Sequence, residues 1–100
     1  MTKTTGIDSY LGFAVRANKA VFGLESLLRM KDSPEVVLYD ERLGNSAKRK
    51  AQFFCDKKNV AFLEVSEGYL NETLKRNNVK IVAVSDKSLG EQIKRILASK

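Results

Sequence analysis

Residues 79–84 read Val-Lys-Ile-Val-Ala-Val, a run rich in β-branched side chains that opens after Asn77-Asn78 and closes at Ser85-Asp86. So short and continuous an apolar segment reads as a strand rather than a helix. Its lack of a regular polar alternation means that both of its faces are covered. Such a strand belongs at the centre of a sheet with helices on each side, and this limits what the rest of the chain can be.

The remaining segments supply pieces of that kind. Residues 36–39, Val-Val-Leu-Tyr, follow the Asp32-Ser33-Pro34 break and read as a second buried strand, and residues 60–65 read as a third. Helical spacing fills the intervals. Ile7, Tyr10, Leu11 and Ala14 share one face of a first helix that Arg16 and Lys19 close on the polar side. Leu24, Leu27 and Leu28 form the i, i+3, i+4 stripe of a second helix that begins near Gly23 and runs to the break at residues 32–34. A third turns Ala47, Ala51, Phe54 and Cys55 inward and Lys48, Arg49 and Gln52 elsewhere, with Asn45 or Ser46 as its cap. Ser66 is the expected cap of a fourth, which carries Leu70 and Leu74 inward and ends at Asn77-Asn78. The last helix begins near Asp86, shows Ser88 and Glu91 at capping-box spacing and buries Leu89, Ile93, Ile96 and Leu97, with Lys94 and Arg95 suited to its C-terminal dipole. Helices alternating with short strands predict an α/β fold, a three-layer α/β/α sandwich around a mixed or parallel sheet.

One hundred residues, 43% of them hydrophobic and spread along the chain, fit a single domain over residues 1–100 without internal repeats. The chain has one cysteine and no histidine, which excludes an internal disulfide framework, a Cys/His zinc site and any histidine-dependent triad. Cys55, on the apolar face of the third helix, is expected to be a buried thiol. Lys87-Ser88 follows a strand without the glycines of a phosphate loop. The carboxylate pairs Asp40-Glu41 and Glu64/Glu67 have no second acidic cluster beside them. No catalytic residue, metal or cofactor is therefore expected, and the class is a binding protein rather than an enzyme. Residues 1–6 lack a signal-peptide core and no apolar run approaches the ~20 residues that span a bilayer, so a soluble cytoplasmic monomer is expected.

Eighteen Lys and Arg against 12 Asp and Glu give a formal charge of +6, which fits a polyanionic partner, nucleic acid first. The cations and amides concentrate at element ends: Lys19 before helix two, Arg42 and Lys48 around the start of helix three, and Arg76-Asn77-Asn78-Val79-Lys80 before the last strand. If these turns share one edge of the sandwich, Gly23 at a helix start lets an RNA backbone approach while the cations neutralise phosphates. On periodicity alone they are equally well ordinary solvated loops.

The segment Arg16-Ala17-Asn18-Lys19-Ala20-Val21-Phe22-Gly23-Leu24-Glu25-Ser26 resembles the ribosomal L-seven-Ae / L-thirty-e superfamily, above all its short bacterial members of the YlxQ type, in which a small-Gly-Lys-x-x-x-Gly segment leads into helix two. The strand at residues 36–39 with Asp40-Glu41 after it, the helix start Asn45-Ser46-Ala47-Lys48-Arg49-Lys50 and the closing Ile81-Val82-Ala83-Val84-Ser85-Asp86-Lys87 are similar to the family's later motifs, so that the likeness extends from about Ser9 to Leu97. It implies a sandwich with a four-stranded mixed sheet and, as partner, kink-turn RNA: a sharply bent duplex with tandem sheared G·A pairs, bound in association with ribosomes. The bend matters because the major groove of straight A-form RNA is too deep and narrow for side chains.

Carried over by position, the resemblance makes Gly23 the point of close approach, sets Glu25 and Ser26 at reading positions and Arg29 one turn later, places Arg42 and Lys48 in a second contact loop, and puts Asn77, Asn78, Val79 and Lys80, next to Arg76, in a third. Three positions depart from the pattern: Asn18 and Asn71 stand where the family has glycines, and Glu25 where it has an amide or lysine. A carboxylate accepts but cannot donate, and it repels phosphate. The alternatives are a non-specific binder of structured RNA and a protein-interaction adaptor without kink-turn recognition. A small enzyme, or a relative of the substrate-recognition domain of RNA methyltransferases, has no cofactor-binding residues to support it.

Overall fold

In the computed structural model, which describes residues 7–98, the 79–84 run supplies strand β4 (Ile81–Val84), buried at every position. The chain order is α1 (Asp8–Arg16), β1 (Ala20–Phe22), α2 (Leu24–Leu28), β2 (Val36–Asp40), α3 (Asn45–Lys58), β3 (Ala61–Val65), α4 (Tyr69–Leu74), β4 and α5 (Lys87–Ala98). The strands lie in the order β1-β4-β2-β3, with β4 antiparallel to both neighbours and β2 parallel to β3. A parallel pair needs a crossover, and α3 provides it.

Strand alternation sorts the core into two halves. Val36, Leu38, Val82 and Val84 face a layer formed by α1, α4 and α5, where they meet Ile7, Leu11, Ala14, Leu70 and Ile93. Val37, Tyr39, Ile81 and Ala83 face α2 and α3 and meet Leu27, Ala51, Phe54 and Cys55. The fold is thus an α/β/α sandwich on a four-stranded mixed sheet, with β4 and β2 inside it, as the sequence predicts. Burial, with a smaller contribution from Asp56, pushes the Cys55 thiol up to about 11.

Several local expectations are corrected. Periodicity reveals three strands; the fourth, β1, is only three residues long, and a stretch that short carries no readable period. α1 stops at Arg16, so Lys19 does not close it: Asn18 turns the chain at φ 60° and Lys19 precedes β1. Asparagine tolerates this left-handed conformation. α2 ends at Leu28 rather than running to residue 32, because the Arg29 N–H is shared between the Glu25 and Ser26 carbonyls as the helix tightens. Leu28, expected inward, is 42% exposed, and Leu27 is the buried residue of this helix.

Backbone geometry also takes over most of the expected caps. Gly44, rather than Asn45 or Ser46, is the N-cap of α3. Gly68, at φ 78°, replaces Ser66 as the cap of α4, and that helix ends at Lys75 in the left-handed region, before Asn77-Asn78. At α5 the Leu89 N–H donates to Asp86 Oδ1 at 2.9 Å, so Asp86 is the cap and Ser88 lies inside the helix. Lys94 reaches Glu35 at 2.9 Å instead of serving only the helix dipole.

Gly90 fixes how closely α5 approaches the sheet. A methyl group there would overlap Cβ and Cγ of Glu35, whose N–H is bound to the Val84 carbonyl at 2.7 Å. Alanine improves helix propensity by ~1 kcal/mol, but overpacking of this kind costs ~1–3 kcal/mol. Gly90→Ala is therefore expected to lower stability by about 1 kcal/mol net, read as a lower midpoint in urea unfolding at unchanged slope. Unchanged or raised stability would show that Glu35 moves aside at no cost.

Candidate nucleic-acid interface

The strand directions decide which turns meet. Because β1 and β2 run opposite to β4 while β3 follows β2, the ends of β1, β2 and β3 and the start of β4 lie on one edge. Three of the turns singled out in the sequence converge there. The Gly23 N–H donates to the Ile81 carbonyl at 3.1 Å, and the Asp40 N–H to the Lys80 carbonyl at 2.9 Å. The Arg76 guanidinium lies 4.1 Å from the centroid of the Phe22 ring, next to Gly23. The Val79 N–H donates to Asn71 Oδ1 at 2.8 Å, so Asn71 ties down the 75–79 turn. That turn is tight, with Lys75 at φ 55° and Asn78 at φ 62°. A polar groove of about 520 Å³ runs beside it, between Glu67-Gly68 and Arg76-Asn77.

Gly23 is the exposed N-cap of α2, at φ 89° and ψ 156°, a backbone region open essentially to glycine alone. A Cβ there would meet nothing within 4 Å, so the space in front of this backbone is open. Glu25, Ser26 and Arg29 are exposed on α2, and Arg29 approaches Glu25 at 4.0 Å. Asn77 is exposed like Arg76 and Asn78, and Lys80 is half-buried at the lip of β4. Lys48 is exposed, with Nζ 5.3 Å from the Tyr39 ring, which itself stacks on Phe62 at 4.2 Å. Among the described residues, Lys48, Arg76 and Lys80 have no carboxylate within ion-pair distance.

Of the remaining predicted site residues, Lys19 is placed elsewhere and Arg42 lies at this edge in an ion pair. Lys19 precedes β1 and so sits at the opposite edge, about 13 Å along the strand from Gly23. There its carbonyl accepts from the Ser85 N–H at 2.9 Å and from Ser85 Oγ at 3.2 Å. Arg42 is on the right edge but is already engaged. Its backbone N–H reaches Asp40 Oδ1 at 2.7 Å, its side chain reaches both carboxylate oxygens at 3.2 and 3.3 Å, and Glu67 lies 3.7 Å away.

Asp40, which the sequence presents only as half of a weak acidic pair, is the organising residue of this edge. It has no solvent-accessible surface and also accepts the Gly68 N–H at 2.8 Å. Burial pushes its carboxyl up, but the Arg42 side chain, the Arg42 and Gly68 backbone N–H groups and the Arg42 charge outweigh that and hold it below the usual carboxylate range. With its oxygens taken by these donors, Asp40 is structural. It joins the α3 and α4 turns into one rigid surface, on which the neighbouring Glu41 accepts the Glu67 N–H at 3.3 Å. The alternation Val36, Leu38, Asp40 was the available signal, since it places the carboxylate on a buried face.

No protein-family model matches the chain, and no curated protein matches it. A solved structure described as a protein with unknown function from Bacillus halodurans aligns with a TM-score of 0.85 over 93% of this chain and 97% of that one, at 18% sequence identity. This likeness establishes the α/β architecture. No helix of the described residues is long and apolar enough to cross a membrane.

Proposed function

We propose that the chain is an RNA-binding protein, cytoplasmic and ribosome-associated, which recognises kink-turn-like structured RNA through the start of α2 and the two turns beside it. The observation that carries this reading is the convergence of Gly23, Lys48, Arg76 and Lys80 on one sheet edge, with an open backbone in the middle and cations around it that, among the described residues, have no carboxylate within ion-pair distance. An exposed, Cβ-free helix start admits a phosphodiester backbone or a base edge, and the surrounding cations neutralise phosphates. Arg42 contributes by shaping the second loop. The protein acts as a monomer without a cofactor and performs no chemistry. It binds the bent RNA conformer and so shifts an equilibrium already present in the RNA.

The test is a calorimetric titration against a kink-turn duplex and against the same duplex with its tandem G·A pairs replaced. The kink-turn is expected to bind about tenfold more tightly or better, and both affinities are expected to fall as salt rises. Equal affinity would reduce the function to non-specific binding of structured RNA. Failure to bind either RNA would favour the adaptor reading, for which the carboxylates of Glu25, Glu41 and Glu67 near the same edge are the specific argument.

A further inference from the structure

α3 is a 14-residue helix whose inner face is complete with Ala51, Phe54 and Cys55, yet it also carries Phe53 with 64% of its surface exposed. Amphipathic helices normally present polar groups on that side. The ring does not stand alone: together with Leu28 at the end of α2 and Met30 in the loop after it, Phe53 lines a groove of about 410 Å³, whose lining also includes Phe54. Leu28, at the last position of α2, thus lies on the surface in the same groove as Phe53. The remaining lining residues are Lys50, Lys57 and Lys58, and none is acidic.

We propose that this α2/α3 groove is a docking site for an acidic amphipathic helix of a partner protein. This does not rest on the RNA reading, because the groove lies along the side of α3 rather than at the sheet edge. The apolar floor fits a stripe of leucine or phenylalanine at i, i+3, i+4 and i+7, the usual form of helix-in-groove recognition, and Met30 is a side chain that adapts to such ligands. The lysine rim chooses the charge. Lys50 and Lys57 lie one turn either side of Phe53, where glutamates flanking the stripe would meet them.

Two other occupants fit less well. A second copy of the chain would bring its own three lysines against these. Single-stranded RNA stacks bases on open aromatic faces, whereas Lys57 Nζ lies over the Phe53 ring and Lys58 Nζ over the Phe54 ring, each at 5.3 Å, and Leu28 and Met30 are aliphatic.

The probe is a synthetic helical peptide of about 18 residues with that leucine and phenylalanine stripe and glutamate elsewhere. It is titrated into the ¹⁵N-labelled protein by NMR and, fluorescently labelled, followed by anisotropy. Saturable binding with Kd of about 10–100 µM is expected, with shifts confined to residues around Leu28, Met30, Phe53 and Lys57. Phe53→Ala and the double variant Lys50→Glu/Lys57→Glu are each expected to weaken it about tenfold or more, while their spectra show an intact fold. A peptide with the same stripe and lysine in place of glutamate is expected not to bind. The proposal is overturned if a scrambled acidic peptide binds equally well, if the shifts map to the Gly23 edge, or if Phe53→Ala has no effect. It is also overturned if no saturable binding occurs, if an oligouridylate displaces the peptide from Phe53, or if the free protein self-associates through this face in sedimentation.

Discussion

Asp40→Ala is expected to lower the unfolding free energy by about 2–4 kcal/mol, a large fraction of the stability of a domain of this size. The substitution leaves the Gly68 and Arg42 backbone N–H groups without their acceptor and opens a space at the end of β2. The estimate stays below the upper range for a broken buried ion pair because the Arg42 side chain is 43% exposed, so its charge can return to water. Asp40→Asn keeps the volume and isolates the charge. Since the folded carboxyl titrates below its unfolded value, its contribution is complete above the unfolded pKa near ~4 and is lost as pH falls through the folded value. The stability difference between the protein and Asp40→Asn should accordingly be constant from neutral pH down to about 5 and shrink below about 4. Urea unfolding across that range measures it. Two curves that stay parallel to acid would show that the carboxylate charge contributes nothing.

Removing the three uncompensated cations of the same edge in the variant Lys48→Ala/Arg76→Ala/Lys80→Ala is expected to reduce affinity for structured RNA by about 100-fold or more. It should also make the dependence of log K on log salt shallower by about two to three. These side chains are exposed or half-buried, so the fold should survive. Lys19→Ala, at the opposite edge, is expected to change affinity less than about twofold, although sequence reading places Lys19 with the others. Equal losses in the two variants would mean that RNA contacts the basic surface at large. Calorimetry at two or more salt concentrations distinguishes the cases, and together with the kink-turn comparison it separates where RNA binds from which RNA is chosen.

Much of the candidate site was legible before the tertiary structure, because glycine and cation placement at element ends is a local property. Gly23 at the helix start and the Arg76 to Lys80 turn are where the sequence puts them. The engagement of Arg42 was not legible because its partner is chosen by geometry: a residue two positions from a carboxylate turns back on it when that carboxylate is fixed at the end of a buried strand. The exposure of Leu28 was equally hidden, since a stripe at i, i+3, i+4 does not report which of its members the neighbouring elements cover, whereas the Ala47, Ala51, Phe54, Cys55 face already leaves Phe53 outside it.

The 79–84 run determined its own position, a strand covered on both faces. The alternating helices around it determined the three-layer class, because burial periodicity is imposed residue by residue. Only the tertiary structure decided that β1 exists, that Lys19 and Gly23 lie at opposite edges, and that Asp40 is buried beneath the edge rather than displayed on it. Those facts depend on strand order and direction, which are set by contacts between residues far apart in the chain and leave no period in it.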